Sequence, residues 1–155
     1  MRIEEAEKEE IEEFIDELWL PLAKEMEKIS SYHELSEDAR EGMKKFRKEQ
    51  IDKEDRVTYV LKDDGEYIGF ATAKIKEVPP IFTEDMICNV SEIFVKEDYR
   101  REGHASKLLT EVEKWARSEG CRAIELSVDS DNLIAIDLYE NSGFKEIRKR
   151  MRKEL

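Results

Sequence analysis

Two extended apolar runs, Met86 to Val95 and Ile124 to Val128, flank residues 104–118, where Ala105, Leu108, Leu109, Val112 and Ala116 recur at steps of three and four before Gly120. That spacing is the apolar face of a helix, and a glycine just past the last periodic residue is a common terminator. A connection of about four helical turns cannot be a hairpin. The strands it joins are therefore expected to run parallel, through a right-handed crossover with the helix on one face of their sheet.

Upstream the period changes. Val57, Tyr59 and Leu61 alternate with polar neighbours, Asp63-Asp64-Gly65-Glu66 supplies turn chemistry, and Tyr67 to Ile75 is extended again, which predicts a β-hairpin. Pro79-Pro80 precedes the Met86–Val95 run, whose alternation holds to Val90 and changes phase at Ile93, Phe94 and Val95, as a bulge would make it do. Residues Glu5 to Ile29 carry Ile11, Phe14, Ile15, Leu18 and Leu22 at helical spacing, and Pro21 predicts an end or kink, hence two helical pieces. A third helix is expected from Ser36 to Gln50, since Ser36, Glu37 and Asp38 form a capping pattern. Asn132 to Ser142 reads as a short helix ended by Gly143, and Phe144 onward as extended and basic, so the last third reads β, α, β, α, β. The class is α/β or mixed α+β, with helices covering a sheet, and 155 residues without a linker or repeat fit one domain over 1–155.

Acidic side chains number 39 against 27 basic ones, a formal charge of −12. That balance argues against a general nucleic-acid binder or an anionic-membrane binder and fits a cationic substrate better. The acidity is N-terminal: residues 1–55 sum to −9, residues 56–100 to −3 and residues 101–155 to zero. No apolar run approaches the roughly 18 to 20 residues of a membrane span, and the N-terminus lacks a signal-peptide stretch, so a cytoplasmic protein is expected. Cys88 and Cys121 lie in apolar-flanked segments without metal-ligand spacing, as reduced core thiols would. No metal site is expected.

The sharpest local feature runs from Val95 to Ser106: a strand end, a short turn and a helix start. First-turn amides of a helix lack internal partners and sit at the positive end of its dipole, so a diphosphate can be held there. Gly103 and Ala105 permit close approach, and Arg100 and Arg101 add two positive charges. Neither a Walker loop nor a dinucleotide fingerprint is present. A solvated strand-to-helix turn is the alternative reading of this loop. In a second segment, Asn132, Ala135 and Tyr139 fall at steps of three and four, on one helix face where they can share a ligand. Taken singly, Asn132 as a helix cap and Tyr139 as a core residue are the competing structural readings.

Arg100-Arg101-Glu102-Gly103-His104-Ala105 looks like the (Gln/Arg)-x-x-Gly-x-(Gly/Ala) signature of the GNAT acetyltransferase superfamily, and Asn132 to Phe144 resembles its N-x-x-A-x-x-x-Y-x-x-x-G-F segment. The two stand in family order and spacing over residues 93–144. The resemblance implies a mixed, mostly antiparallel sheet with a central splayed parallel strand pair, flanked by helices. It also implies an N-acetyltransferase that passes the acetyl group of acetyl-CoA directly to a primary amine of a small molecule or peptide.

In the family, the positions matching Arg101 to Ser106 (Arg101, Glu102, Gly103, His104, Ala105, Ser106) hold the pyrophosphate through backbone amides. Those matching Ile93, Phe94 and Val95 pair with the pantetheine and polarise the thioester carbonyl. The residue matching Asn132 contacts pantetheine, and the one matching Tyr139 protonates the departing thiolate. A phenol of pKa about 10 is protonated at neutral pH and suits that task. Glu92, leading into the loop, is the best candidate for the base that deprotonates the amine, with ordered water as the other candidate. His104 is expected at phosphate or solvent, and His33 has no recognisable partner. An acidic N-terminal region along the acceptor cleft would attract a cationic amine. The competing functions are protein acetylation, at a lysine or an N-terminus, and a non-catalytic acyl-CoA sensor or interaction domain. Acceptor identity and oligomeric state, a homodimer included, are not fixed by the sequence.

Overall fold

The computed structural model describes residues 1–84 and 86–155. Its first strand, β1 (Arg2–Glu5), was not foreseen, because a single apolar residue, Ile3, gives no alternation to read. A 3₁₀ turn at Lys8–Glu10 leads into α1 (Ile11–Phe14), a π-helical segment at Ile15–Trp19, and α2 (Leu20–Ile29). Pro21 does not break this run. It lies in the first turn of α2, where a missing N–H is tolerated, and the irregularity falls just before it. There the Leu20 N–H bonds the Ile15 carbonyl five residues back, widening the helix by one residue. Helix α3 (Ala39–Gln50) starts three residues later than expected, because Ser36 closes a turn onto the Ala39 N–H at 3.1 Å instead of capping a helix with its side chain.

β2 (Arg56–Asp63) and β3 (Glu66–Glu77) make the hairpin, with Asp64 at φ 47° and Gly65 at φ 86°, the left-handed pair that a two-residue loop requires. β4 (Met86–Val95) pairs antiparallel with β3. Thr72 lies opposite Glu92 but Ala73 opposite Val90, so Ser91 is the extra residue of the expected bulge. The chain then crosses through α4 (His104–Ser118) to β5 (Ile124–Leu126), which runs parallel to β4 as its connection demanded. Helix α5 (Leu133–Asn141) follows and ends at Gly143, φ 90°. The sheet order is β1-β2-β3-β4-β5.

Two corrections concern the end of the chain. Residues after Phe144 form no strand, and from Lys145 to Leu155 they are exposed. A segment with Lys145, Arg148, Lys149, Arg150, Arg152 and Lys153 repels itself, and no hydrogen-bonded neighbour strand offsets that here. The parallel pair consequently stands at one end of the sheet, not at its centre. No helix of the described residues is long and apolar enough to cross a membrane.

Strand alternation sends the core to both faces. On one face Val57, Ile68, Ala71 and Val90 pack with Leu108, Leu109 and Val112 of α4 and with Tyr139 of α5. On the other, Val60, Phe70 and Phe94 meet Ile11, Phe14 and Leu18 of the N-terminal helices. Phe14 stands edge-on to Phe70 at 4.9 Å between centroids, a geometry worth about 0.5–1.5 kcal/mol beyond burial. Gly69 holds the junction between the two strands: a Cβ there would come 2.5 Å from the Phe94 carbonyl oxygen.

Candidate active site

The loop between β4 and α4 is built as its sequence promised. After a 3₁₀ turn at Glu97–Tyr99, Arg101 takes φ 65° and Gly103 φ 78°. A Cβ at Gly103 would meet nothing within 4 Å, so glycine serves here for its left-handed backbone, and the space outside the loop is open. The first i→i−4 bond of α4 runs from the Lys107 N–H to the Gly103 carbonyl at 3.1 Å, and no side chain caps the helix. The amides of His104, Ala105 and Ser106 thus precede the helical ladder, at the positive end of a 15-residue helix.

The side chains of this loop divide. Arg100 is a fastener: its Nε donates to the Val95 carbonyl at 2.8 Å, its Nη2 lies 2.6 Å from Glu25, and its guanidinium stacks 5.7 Å over Phe94. Its charge is already paired inside the protein, so the two arginines are not equivalent. Arg101 is exposed and, among the described residues, forms no ion pair. Of the two positions expected for His104, phosphate or solvent, the second does not hold: it is 5% exposed, with Nε2 3.0 Å from Glu102 and with Nδ1 buried and unpartnered among the described residues. His33, expected to lack a partner, pairs with Asp129 at 2.8 Å and ties the turn after α2 to the loop after β5.

Tyr139 lies on the same side of the sheet as α4, 9% exposed, with Phe144 edge-on at 5.8 Å. Burial alone pushes its phenol up to about 12, so the hydroxyl carries its proton throughout the neutral range. Asn132 caps α5, its Oδ1 accepting from the Ala135 N–H at 3.3 Å. Its Nδ2 donors are the part left for a ligand.

β5 pairs with β4 only over Cys88–Val90, while β4 continues to Val95. β5 ends at Leu126, opposite Val90, so beyond Val90 this edge of β4 has no partner strand among the described residues. The Lys96 N–H bonds Ile68 of β3 at 2.9 Å, so strand alternation directs the N–H groups of Ile93 and Val95 away from β3, toward this opening.

Glu92 is on the opposite face, under the N-terminal helices. Its Oε1 accepts from Trp19 Nε1 at 3.2 Å and its Oε2 from Thr72 Oγ1 at 2.9 Å, and Oε2 also pairs with Arg47 Nη2. Trp19 is the last residue of the π-helical segment, so that local widening aims the indole at Glu92. Sequence reasoning missed Trp19, Thr72 and Arg47. Arg47 in particular looks like one more solvated charge among Lys44, Lys45 and Lys48, and only the packing of α3 shows that its side chain is 12% exposed. Glu92, Thr72 and Arg47 border a cavity of about 290 Å³ between α1, α3 and the sheet, with Ile11, Phe14, Met43, Ile51 and Val57 as its apolar wall; Trp19 reaches Glu92 from outside that lining.

The N-terminal acidity does not line this cavity. Glu10 pairs with Lys62, Glu12 with Lys44, Asp16 with Arg40, Glu17 with Lys96 and Glu25 with Arg100. No group of three or more His, Cys, Asp and Glu side chains that could hold a metal occurs among the described residues. Cys88 is buried and Cys121 half-buried, and burial, with Cys121 nearby, pushes the Cys88 thiol up to about 12.

Comparison with known proteins places this architecture. The family model described as Acetyltransferase (GNAT) family matches residues 11–144. GCN5-related N-acetyltransferase 4, chloroplastic, of Arabidopsis thaliana is 44% identical over 62 residues, which are 40% of this chain and 21% of that protein. Aminoglycoside N(6')-acetyltransferase type 1 of Salmonella typhimurium is 28% identical over 100 residues, 59% of this chain and 64% of the enzyme. The match therefore spans less than two thirds of either relative. Among solved structures, AAC(6')-Iy in complex with the bisubstrate analog CoA-S-monomethyl-acetylneamine superposes with a TM-score of 0.77 at 21% identity, over 99% of this chain and 97% of that one. A Bacillus halodurans protein does so with a TM-score of 0.85 at 17% identity over the full length of both chains. These structural likenesses carry the fold, the family match covers most of the sequence, and the chain belongs to the GNAT acetyltransferase family.

Proposed function

We propose that this chain is an acetyl-CoA-dependent N-acetyltransferase that passes the acetyl group directly to a primary amine of a small molecule. The observation that carries this reading is the disposition of Glu92 and Tyr139 on opposite faces of the sheet, beside the edge of β4 that β5 leaves uncovered beyond Val90. A carboxylate on the acceptor side and a protonated phenol on the coenzyme side are what transfer between an ammonium and a thioester requires. The modest cavity, and a relative named for aminoglycosides, favour a small molecule over a protein acceptor.

When bound, acetyl-CoA supplies an activated acetyl thioester. The amides of the Arg101–Ser106 segment (Arg101, Glu102, Gly103, His104, Ala105, Ser106) receive its diphosphate, and Gly103 allows close approach. The open edge offers the main-chain N–H groups of Ile93 and Val95 to the pantetheine arm and to the carbonyl on which negative charge develops, while the N–H of Phe94 between them is turned to β3. Asn132 adds its side-chain amide to that arm. Glu92 takes one proton from the acceptor ammonium, and the freed nitrogen pair forms the N–C bond. As the C–S bond breaks, its electrons go to sulfur, which takes a proton from Tyr139. The second nitrogen proton leaves to water.

Thiol release from acetyl-CoA with a panel of amines tests the reading. Tyr139→Phe should lower kcat by about 10²–10⁴-fold while coenzyme affinity, read by calorimetry, stays within about twofold. Unchanged turnover in that variant would overturn the assignment. Since the phenol titrates near 12, the wild-type rate should show no descending limb below pH about 10.

A further inference from the structure

The cavity beside Glu92 contradicts the charge of the protein around it. The chain carries −12, yet the described residues lining this cavity include one carboxylate, Glu92, and three cations, Arg47, Arg56 and Lys74. Arg56 is neutralised by Asp55 at 3.0 Å. Lys74 stands exposed, with no ion pair among the described residues. Arg47 is the informative one. It meets Glu92 through Nη2 alone, its guanidinium lies 5.6 Å from the Phe14 ring centroid, and its Nε is buried with no partner among the described residues.

The Nε and Nη2 protons form the edge of a guanidinium that matches the two oxygens of one carboxylate. Arg40 uses that edge fully on Asp16, at 2.7 and 2.8 Å. On Arg47 half of it is unused, and a buried charged donor without an acceptor is costly. Glu92 cannot correct this, because its Oε1 is turned to Trp19 and its Oε2 is already shared with Thr72. The same ion pair also holds Glu92 away from its work as a base.

We infer that the acceptor is an amine that itself carries a carboxylate on an apolar skeleton, that this carboxylate takes the Nε/Nη2 edge of Arg47, and that its arrival releases Glu92 to receive the ammonium proton. The inference rests on the acetyltransferase reading above and narrows its substrate class. An amino-acid-like molecule fits a cavity at the lower end of ligand-pocket sizes and its wall of Ile11, Phe14, Met43, Ile51 and Val57. A polycation would meet Arg47 and Lys74 as like charges.

The test is thiol release by the full chain with acetyl-CoA and three acceptors of one skeleton: leucine, leucinamide and 3-methylbutylamine, with spermidine as a polycationic comparator. Leucine should exceed the other three in kcat/KM by at least tenfold. Arg47→Gln should reduce the leucine-to-leucinamide ratio by at least tenfold, with coenzyme affinity and Tm showing that the variant folds. On the wild-type protein, 4-methylpentanoate should compete with leucine and its amide should not, a measurement that serves even if Arg47→Gln fails to fold. Thiol release with no preference for leucine, or with a preference for spermidine, overturns this inference and leaves the acetyltransferase reading standing. Coenzyme binding without thiol release from any amine overturns that reading instead. A leucine preference unmoved in folded Arg47→Gln overturns the role of Arg47.

Discussion

The proposed anion seat ahead of α4 comes from six consecutive residues, Arg101 to Ser106, whereas the cavity on the other face of the sheet draws its walls from α1, α3, β2, β3 and β4. The seat works through main-chain amides, so its side chains are free to vary in role: Arg100 fastens, His104 is buried and Arg101 faces solvent. The cavity is lined by side chains that depend on packing: Arg47 on the docking of α3, and Glu92 on Trp19, which a π-helical segment aims at it. A site made by local backbone geometry tolerates much around it, while one made by converging side chains can be retuned by a single change far away in sequence. That difference would let the proposed coenzyme seat stand beside a proposed acceptor cavity of different polarity.

Three perturbations probe this contrast, the strongest first. Gly103→Glu places a carboxylate at the seat and forces a side chain into φ 78°, so coenzyme affinity should fall by about 100-fold, roughly 2.7 kcal/mol. The seat and cavity are independent only if the indole fluorescence of Trp19, on the far face, is unchanged by the substitution when read in a Trp115→Phe background that leaves it the one tryptophan. A changed emission would break the comparison. Gly69→Ala strikes the junction shared by both sites. Its Cβ meets the Phe94 carbonyl oxygen at 2.5 Å, so a loss of about 2 kcal/mol by denaturant titration is expected, with both coenzyme affinity and acceptor selectivity disturbed. If only one of the two moves, the strand pair does not couple the faces.

The smallest effect belongs to acid. Burial by itself raises the Glu10 carboxyl, but hydrogen bonds from Lys62, the Glu7 main chain and Tyr67 outweigh it and hold the group below the usual carboxylate range. A depressed folded pKa contributes stability that is present above the unfolded value of about 4.3 and is lost as pH falls through the folded value. The unfolding free energy of the wild type, read by denaturant titration, should therefore fall more steeply than that of Glu10→Gln below pH about 4.5, by less than about 1 kcal/mol, because the pair is only partly buried. Parallel curves would remove Glu10 from the anchoring of the N-terminal helices.

How much could be read in advance follows the same division. The helix at residues 104–118 coincides with α4 to the residue, because its apolar period and bounding glycines are local signals. The bulge at Ser91 was visible as a change of phase, since one extra residue shifts every later side chain to the other face. Pro21 misled because proline in a first helical turn and proline inside a helix look alike until the helix boundary is known. Glu92 was identifiable as an acid on a strand, but its partners were not, for Trp19, Arg47 and Thr72 are 73, 45 and 20 residues away. Nothing in the composition of residues 1–55 reveals that Glu10, Glu17 and Glu25 are taken up by Lys62, Lys96 and Arg100 beyond that segment.

By itself the sequence determined the crossover unit, the hairpin, the left-handed turn ahead of α4 and the placement of a phenol four residues before Gly143, all consequences of short-range sterics and of hydrophobic period. Tertiary structure alone decided which charges face the cavity and which are paired away from it. Electrostatic character at a site depends on distances between side chains brought together by folding, and net charge along the chain carries no record of them.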